Sequence, residues 1–274
     1  MKMKKNYKDV TIILTLYKTP LNKLSNLYNY RNYKIIVFDQ EGEDKTKIFL
    51  KKKLNLNVKY FSSIRNIGLS KASNFLLSKV KTKYCLFTQP DIQITDSSIN
   101  ILYNIIKKNK SIIFVSPNQK TKAKKKNKKN YILKKKINYS CILCDVKKLK
   151  SIGFFDEDFF LYWEDIFLEK KINNSNYKMA IGLNTKVKHD FSKSSEINYK
   201  TDFIRSSNFI YGELVFDYKV KKLRFIKICR KFFQNLILFI FNILFFQLKD
   251  SLKNIAIIVG IFKFTIFLLK KINK

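Results

Sequence analysis

The sequence predicts an α/β fold, a doubly wound and mainly parallel sheet with flanking helices. Three observations predict it. Short uninterrupted apolar runs recur between residues 10 and 115. Helix-like stretches separate them, and acids stand where two of the runs end. Strands buried on both faces read as continuous apolar runs rather than alternating ones. Strand and helix in alternation build a parallel sheet.

The elements follow in order. Val10–Tyr17 reads VTIILTLY, rich in β-branched residues. Lys34–Phe38, KIIVF, ends at Asp39. Tyr84–Thr88, YCLFT, leads into Gln89-Pro90-Asp91. Ser111–Val115, SIIFV, is the fourth run. Helices are expected at about Leu21–Tyr30, Asp44–Leu54, Leu69–Val80 and Ser97–Lys107. Ligands of such sheets bind outside the carboxyl ends of the strands, which singles out Asp39 and Asp91. Residues 118–138 form a Lys/Asn tract without periodicity. It reads as a mobile loop, with an acceptor-side flap as the alternative.

The chain carries 56 basic and 20 acidic residues, a net charge of +36. Only Arg31, Arg65, Arg205, Arg224 and Arg230 are arginines. Lys, Asn, Ile, Phe and Tyr share AT-rich codons, so codon bias accounts for much of the lysine. Base readers favour the planar fork of Arg. The expectation is therefore no nucleic acid, and attraction to anionic lipid headgroups instead. Cys141 and Cys144 form a C-x-x-C with no second pair to complete a zinc site, so buried thiols are expected. The start, MKMKKNYKDV, lacks the apolar core of a signal peptide. The chain is expected to stay on the side of the membrane where it was made.

Two apolar runs close the sequence, Phe232–Leu248 and Ile255–Leu269, the second interrupted by Lys263. Each falls short of the roughly 20 apolar residues that span a bilayer. Their Lys and Arg flanks favour two interfacial helices on an anionic leaflet. A hairpin dipping into the membrane and a buried helical pair in a soluble oligomer are the other readings. The expected domains are 1–215 and a basic, apolar, membrane-associating segment 216–274.

From Gly153 the chain reads GFFDEDFFLYWEDIFLEKKI, dense in acids and aromatics. Asp39 is placed to accept hydrogen bonds from a base or ribose. Asp91 is placed to bind a divalent cation. Glu164 or Asp165 offers a base whose pKa the surrounding Phe159, Phe160, Tyr162 and Trp163 would raise. Singly, each has a plainer reading: a turn aspartate, an acidic first helical turn, core aromatics, a structural histidine at His189. Their joint occurrence in this order favours the chemical reading.

The motifs together resemble the family-2 glycosyltransferases, especially the bacterial rhamnosyltransferase-like branch. VTIILTLYKT resembles the family's opening strand and loop. IIVFDQEGED resembles its base-contacting I-V-V-D-N-x-S-x-D. RNIGLSKASN resembles N-x-G-x-x-x-A-x-N, and LFTQPDIQI resembles L-L-N-P-D. GFFDEDFFLYWEDIFL resembles G-G-F-D-E-x-F-F-x-Y-x-E-D-x-D-L, and VKHDFSKSS resembles V-x-H-x-x-x-x-S. The resemblance implies a GT-A-type fold, a nucleotide-diphosphate sugar donor, Mg or Mn, and inversion with one carboxylate base. Carried over, it implies donor contacts at Thr15, Tyr17, Asp39, Asn66, Gly68, Asn74 and Asp91. It implies acceptor contacts at Asp156, Trp163 and Glu164, and metal contacts at Asp91 and His189. Asp165 is the implied base, with Glu164 second.

Three departures stand out. Gln93 replaces the second acid of the family's D-x-D. Phe167 replaces the acid after E-D-x. Gln40-Glu41-Gly42 replaces small polar residues in the nucleotide loop. The expected function is transfer of a sugar to a lipid-linked saccharide in surface-polysaccharide assembly, at the cytoplasmic face of the inner or plasma membrane. The competing class is a degenerate, membrane-bound scaffold that binds donor or partner without turnover.

Overall fold

The computed structural model describes residues 8–119, 130–189 and 198–273. Two compact units emerge, Met1–Phe155 with Leu168–Glu196, and Asp156–Phe167 with Ile197–Lys274. The chain order is β1 (Val10–Tyr17), α1 (Leu21–Leu24), β2 (Lys34–Gln40), α2 (Asp44–Ile48), β3 (Val58–Ser63), α3 (Leu69–Lys79), β4 (Tyr84–Phe87) and β5 (Ile92–Ile94). It continues with α4 (Asp96–Lys108), β6 (Ile112–Pro117), β7 (Tyr131–Lys134), β8 (Ile142–Asp145), α5 (Val146–Ser151), α6 (Glu164–Asn173), β9 (Lys178–Gly182) and β10 (Val187–His189). It closes with α7 (Tyr199–Lys219), α8 (Phe225–Leu244) and α9 (Leu248–Ile272).

In the first unit, eight strands form one sheet in the order β3-β2-β1-β4-β8-β6-β9-β7, and β10 pairs with β5 in a second. Strands β3, β2, β1 and β4 are mutually parallel, which puts the ends of β2 and β4, and so Asp39 and Asp91, on one edge. The other half corrects the mainly parallel expectation. β8 runs antiparallel to both β4 and β6, and β7 runs antiparallel to β9. A parallel neighbour needs a long crossover, usually a helix; among the described residues no helix lies between β6 and β8, and β8 runs against β6.

Sequence reading missed β3, β8 and β9. β3 is an edge strand with one half-wet face, so its apolar residues never form a run. β8 and β9 are only four and five residues long. Within the Lys/Asn tract, residues 120–129 lie outside the described residues. Tyr131–Lys134 is strand, not loop, because it caps the sheet edge at β9. The expected helix at 21–30 is a single α turn followed by a tighter 3-10 stretch, Ser25–Tyr30. Helix α4 starts where its cap requires: Thr95 Oγ1 accepts from Ser98 N–H at 3.3 Å. Cys85, Cys141 and Cys144 are buried in the sheet as free thiols.

In the second unit, α7 and α9 bury Ile210, Leu214, Val215, Ile261, Phe264 and Phe267 around Phe159. Gly260 permits this close crossing, since a Cβ there would overlap Ser207 O and the Ile210 side chain. The run 255–269 therefore turns much of its apolar surface inward. Helix α8 does not: Phe233, Ile237, Ile240, Phe241 and Leu244 are exposed. Among the described residues, no helix is long and apolar enough to cross a membrane.

Candidate active site

Asp39, the last residue but one of β2, is almost fully buried. The Tyr60 hydroxyl donates to its Oδ2 at 2.8 Å. Burial raises its pKa, and hydrogen bonds from Tyr60 and Thr46 oppose that rise. The loop that follows folds back over it. Glu41 takes a φ of +56°. At Gly42 a Cβ would lie 2.7 Å from both the Asp39 carboxyl carbon and the Tyr60 oxygen. The larger residues of Gln40-Glu41 are thus accommodated by a glycine that lets the backbone close on Asp39. Gln40 Oε1 accepts from Ile67 N–H at 2.9 Å, tying β2 to the next loop.

That loop begins α3. Asn66 Oδ1 accepts from Gly68 N–H at 3.0 Å, and Gly68 has a φ of +89°. Only glycine adopts that backbone cheaply. Thr15 and Tyr17 sit half-buried along β1, next to Phe38 and Gln40 of β2. The Tyr17 hydroxyl is buried with no hydrogen-bond partner among the described residues. Asn74, for which the resemblance implied a donor contact, hydrogen-bonds Phe155. Its Nδ2 donates to Phe155 O at 2.9 Å and its Oδ1 accepts from Phe155 N–H at 3.1 Å. It anchors the segment that follows Gly153.

Asp91 lies just beyond β4, 2% exposed. The β5–β10 pairing sets His189 opposite Ile92. His189 Nε2 and Asp91 Oδ2 come within 3.7 Å. A carboxylate and an imidazole from distant parts of the sequence thus share one point on the carboxyl edge. Among the described residues, no group of three or more His, Cys, Asp or Glu is arranged to hold a metal. The pair nevertheless fits a cation that takes its remaining ligands from diphosphate oxygens and water.

Gln93, where the family has a second acid, has a structural partner. Its Nε2 donates to Asn26 Oδ1 at 2.9 Å, and Asn26 Nδ2 donates to Pro90 O at 2.9 Å. The chain Gln93–Asn26–Pro90 fixes the turn that carries Asp91. Restoring the acid is therefore expected to fail: Gln93→Asp loses the donor and lowers stability by about 1 kcal/mol. A melting temperature equal to wild type, together with tighter manganese binding, would contradict this. Nearby, Arg31, Gln93, Asn118, Gln119 and Asn184 help line a polar cavity of about 710 Å3 whose walls include neither Asp39 nor Asp91.

The second unit holds the aromatic and acidic motif. Asp156 faces Lys219 at 3.0 Å, and Asp158 faces Lys219 at 2.6 Å and Lys271 at 3.2 Å. Asp156 Oδ1 also accepts from Asp158 N–H at 3.0 Å. This ties Asp156 into a network that secures the motif, instead of leaving it to the acceptor alone. Phe167 packs on Phe159 with ring centres 5.4 Å apart, under the Lys219 ammonium. Phe167 is thus a partly buried packing residue at the edge of the second unit's core.

Tyr162 and Trp163 have φ of +68° and +70° in succession. Two bulky residues in the left-handed region mark a locally strained turn. Trp163 packs between Phe209 and Phe216 and over Gly212, where a Cβ would approach its Cδ1 to 2.9 Å. Its indole N–H and the Oε2 of Glu164 are buried without hydrogen-bond partners among the described residues. Such orphaned groups fit a ligand that carries hydroxyls.

The two neighbouring acids differ electrostatically. Burial, then the charge of Asp165, pushes Glu164 from the ordinary 4.5 up to about 8. Burial also raises Asp165, but backbone N–H groups of Ile166 and of Asp165 itself pull it back. Glu164 is thus the proton-holding member at neutral pH. Its folded-state pKa exceeds the unfolded one, so its stabilisation is complete below about 4.5 and drains away as pH rises toward 8. Glu164→Gln is expected to raise stability at pH 7 by on the order of 3 kcal/mol and to flatten the decline across that window. Denaturant melts at pH 5 and pH 7 measure it; an unchanged pH slope contradicts it.

Sequence reasoning missed Asn26, Tyr60 and Lys219. Tyr60 sits on an edge strand with no run to announce it, and nothing local marks Asn26 or Lys219.

The family model for glycosyl transferase family 2 matches residues 13–169, more than half of the chain. The chain belongs to glycosyl transferase family 2. Solved structures share the fold at low identity. GalNAc-T7, crystallised with UDP, GalNAc and Mn2+, superposes with a TM-score of 0.56 at 14% identity, over 66% of this chain and 42% of that one. The S. aureus TarS 1–349 structure gives 0.53 at 14%, over 93% and 91%. The mannosyltransferase PcManGT from Pyrobaculum calidifontis, with GDP-Man and Mn2+, gives 0.51 at 16%, over 76% and 64%. The chain spans less than half the length of GalNAc-T7. No curated protein matches by sequence. The family match places the strand-end acids Asp39 and Asp91 and the first turn of α6 inside the family's domain.

Proposed function

We propose that the chain transfers a sugar from a nucleotide-diphosphate donor to a hydroxyl of a lipid-linked saccharide, with inversion, at the cytoplasmic face of a membrane. The observation that carries the proposal is the pairing of Asp91 with His189 on the carboxyl edge that also bears Asp39. Asp39 accepts hydrogen bonds from the donor's base or ribose, with Tyr60 fixing its orientation. Asp91 and His189 would hold Mg or Mn, which would supply positive charge for the departing diphosphate. Asp165 removes the acceptor proton as the acceptor oxygen bonds to the anomeric carbon and the bond to the diphosphate breaks. The solved structures of similar fold that carry UDP, UDP-GlcNAc or GDP-Man support a nucleotide-sugar donor. Turnover measured against a panel of nucleotide sugars tests the reading. Absence of transfer and hydrolysis with every donor would favour the scaffold instead.

Membrane association of residues 216–274 is part of the proposal. The exposed apolar side chains of α8 and of the α8–α9 corner, including Phe245, Phe246 and Leu248, support it. So does the basic charge of the chain. Flotation with vesicles of neutral and anionic lipid is expected to recover the protein with the anionic ones. Phe241→Asp with Phe245→Asp should release it. A wild-type protein left wholly in the soluble fraction counts against membrane association.

A further inference from the structure

The second unit contains a cavity of about 530 Å3, walled by α7, α8, α9 and Tyr162. Its chemistry is divided. Arg205, Lys231 and Lys253 supply three cations, while Phe209, Ile210 and Ile257 supply apolar wall. The one acid, Glu213, is already matched by Lys227 at 2.6 Å and Lys231 at 3.2 Å. Arg205 faces Asp202 at 3.7 Å on its own helix, and Lys253 adds to it, so the cavity wall itself carries three cations to one acid. Such a site fits an anion, and a phosphate above all.

The cavity leads onto an apolar track. On α8, Lys231 and Gln234 line the cavity. Leu238 and Phe241 follow at spacings of four and three, which keeps them on the same face. Phe245 comes four residues later, its ring centre 4.3 Å from that of Phe241. Leu238, Phe241 and Phe245 are 41%, 49% and 59% exposed. A charged pocket continuous with an exposed apolar stripe has the two-part chemistry of an anionic amphiphile.

We infer that this cavity binds the phosphate of a single-chain lipid phosphate while the α8 stripe receives its hydrocarbon. The inference rests on the proposed lipid-linked acceptor and names the part of it that the second unit grips. Neither a free anion nor a neutral chain satisfies both halves of the surface.

Trp163 is the only tryptophan in the chain. It follows Tyr162 of the cavity wall and packs on Phe209 of the same wall. Its emission therefore reports occupancy without any sugar donor. The full-length protein is titrated with dodecyl phosphate below its micellar concentration, and separately with dodecyl maltoside and with inorganic phosphate. A saturable change with dodecyl phosphate alone is expected. Arg205→Gln with Lys253→Gln should raise the half-saturating concentration at least about tenfold, the effect of losing charge-assisted contacts. Lys249→Gln with Lys270→Gln, two exposed changes on α9 that remove the same charge, should leave it unaltered. Equal responses to dodecyl maltoside would reduce the site to an apolar surface, and equal responses to inorganic phosphate to a simple anion pocket. Either result overturns the inference, as does a double variant that titrates like wild type. A protein that transfers sugar yet ignores dodecyl phosphate overturns this inference alone. One that binds it but processes no nucleotide sugar overturns the proposed function alone.

Discussion

Asp165→Asn is expected to lower kcat by about 10²–10⁴-fold, the usual contribution of general-base catalysis, while nucleotide-sugar binding stays close to wild type. The substitution keeps the shape of the side chain and removes its basicity. The electrostatics of the motif support this choice. Glu164 is held up to about 8 by burial and by the neighbouring charge, so at pH 7 it carries a proton and cannot take another. Asp165 is raised by burial, but its Oδ1 accepts from Ile166 N–H at 2.8 Å, which favours the ionised form. Neighbouring acids whose environments push their pKa values apart separate into a base and a proton holder. With Asp165 as the proposed base, kcat/KM is expected to fall on the acid side, with a midpoint above the ordinary aspartate range. Collapse in Glu164→Gln with near-normal turnover in Asp165→Asn would reverse the roles. Near-normal turnover in both would remove the motif from the chemistry.

Asp91→Asn is expected to reduce turnover by at least about 10²-fold, the scale of losing one preorganised electrostatic contact to a developing charge. The side chain is 2% exposed and faces His189 at 3.7 Å. A neutral amide there weakens the hold on a divalent ion without changing the volume of the site. The loss should be accompanied by weaker manganese binding, measured by calorimetry on the protein alone, which separates ligation from catalysis. Chelation of the wild-type protein should abolish transfer, and added manganese should restore it. If chelation leaves turnover unchanged, the diphosphate is neutralised by lysine or arginine and the Asp91–His189 pair is structural. The scaffold reading predicts metal and donor binding with no transfer under any of these conditions.

The sequence by itself determined three of the four parallel strands, β1, β2 and β4, and where they end. Val10–Tyr17 and Lys34–Phe38 are continuous apolar runs because their strands are covered on both faces, and burial of that kind leaves its record in local sequence. Asp39 and Asp91 were legible for the same reason: each follows a run, and the end of a run is the end of a strand. The acidic and aromatic motif at 153–168 was legible because its residue types are dense and ordered.

What only the tertiary structure decided are relations between distant residues. Gln93 looked like a lost metal ligand, and the fold gives it Asn26, 67 positions away, with Pro90 beyond. Asn74 looked like a donor contact, and the fold gives both ends of its amide to Phe155. Phe167 looked like a lost acid, and the fold packs it, partly buried, against Phe159. The antiparallel direction of β8 was equally hidden, since a four-residue apolar strand reads the same in either direction. A hydrogen bond or ring contact between residues far apart in the chain has no local period. Only the folded backbone brings the two partners within reach, so pattern reading finds the strands and acids but not the latches that hold them.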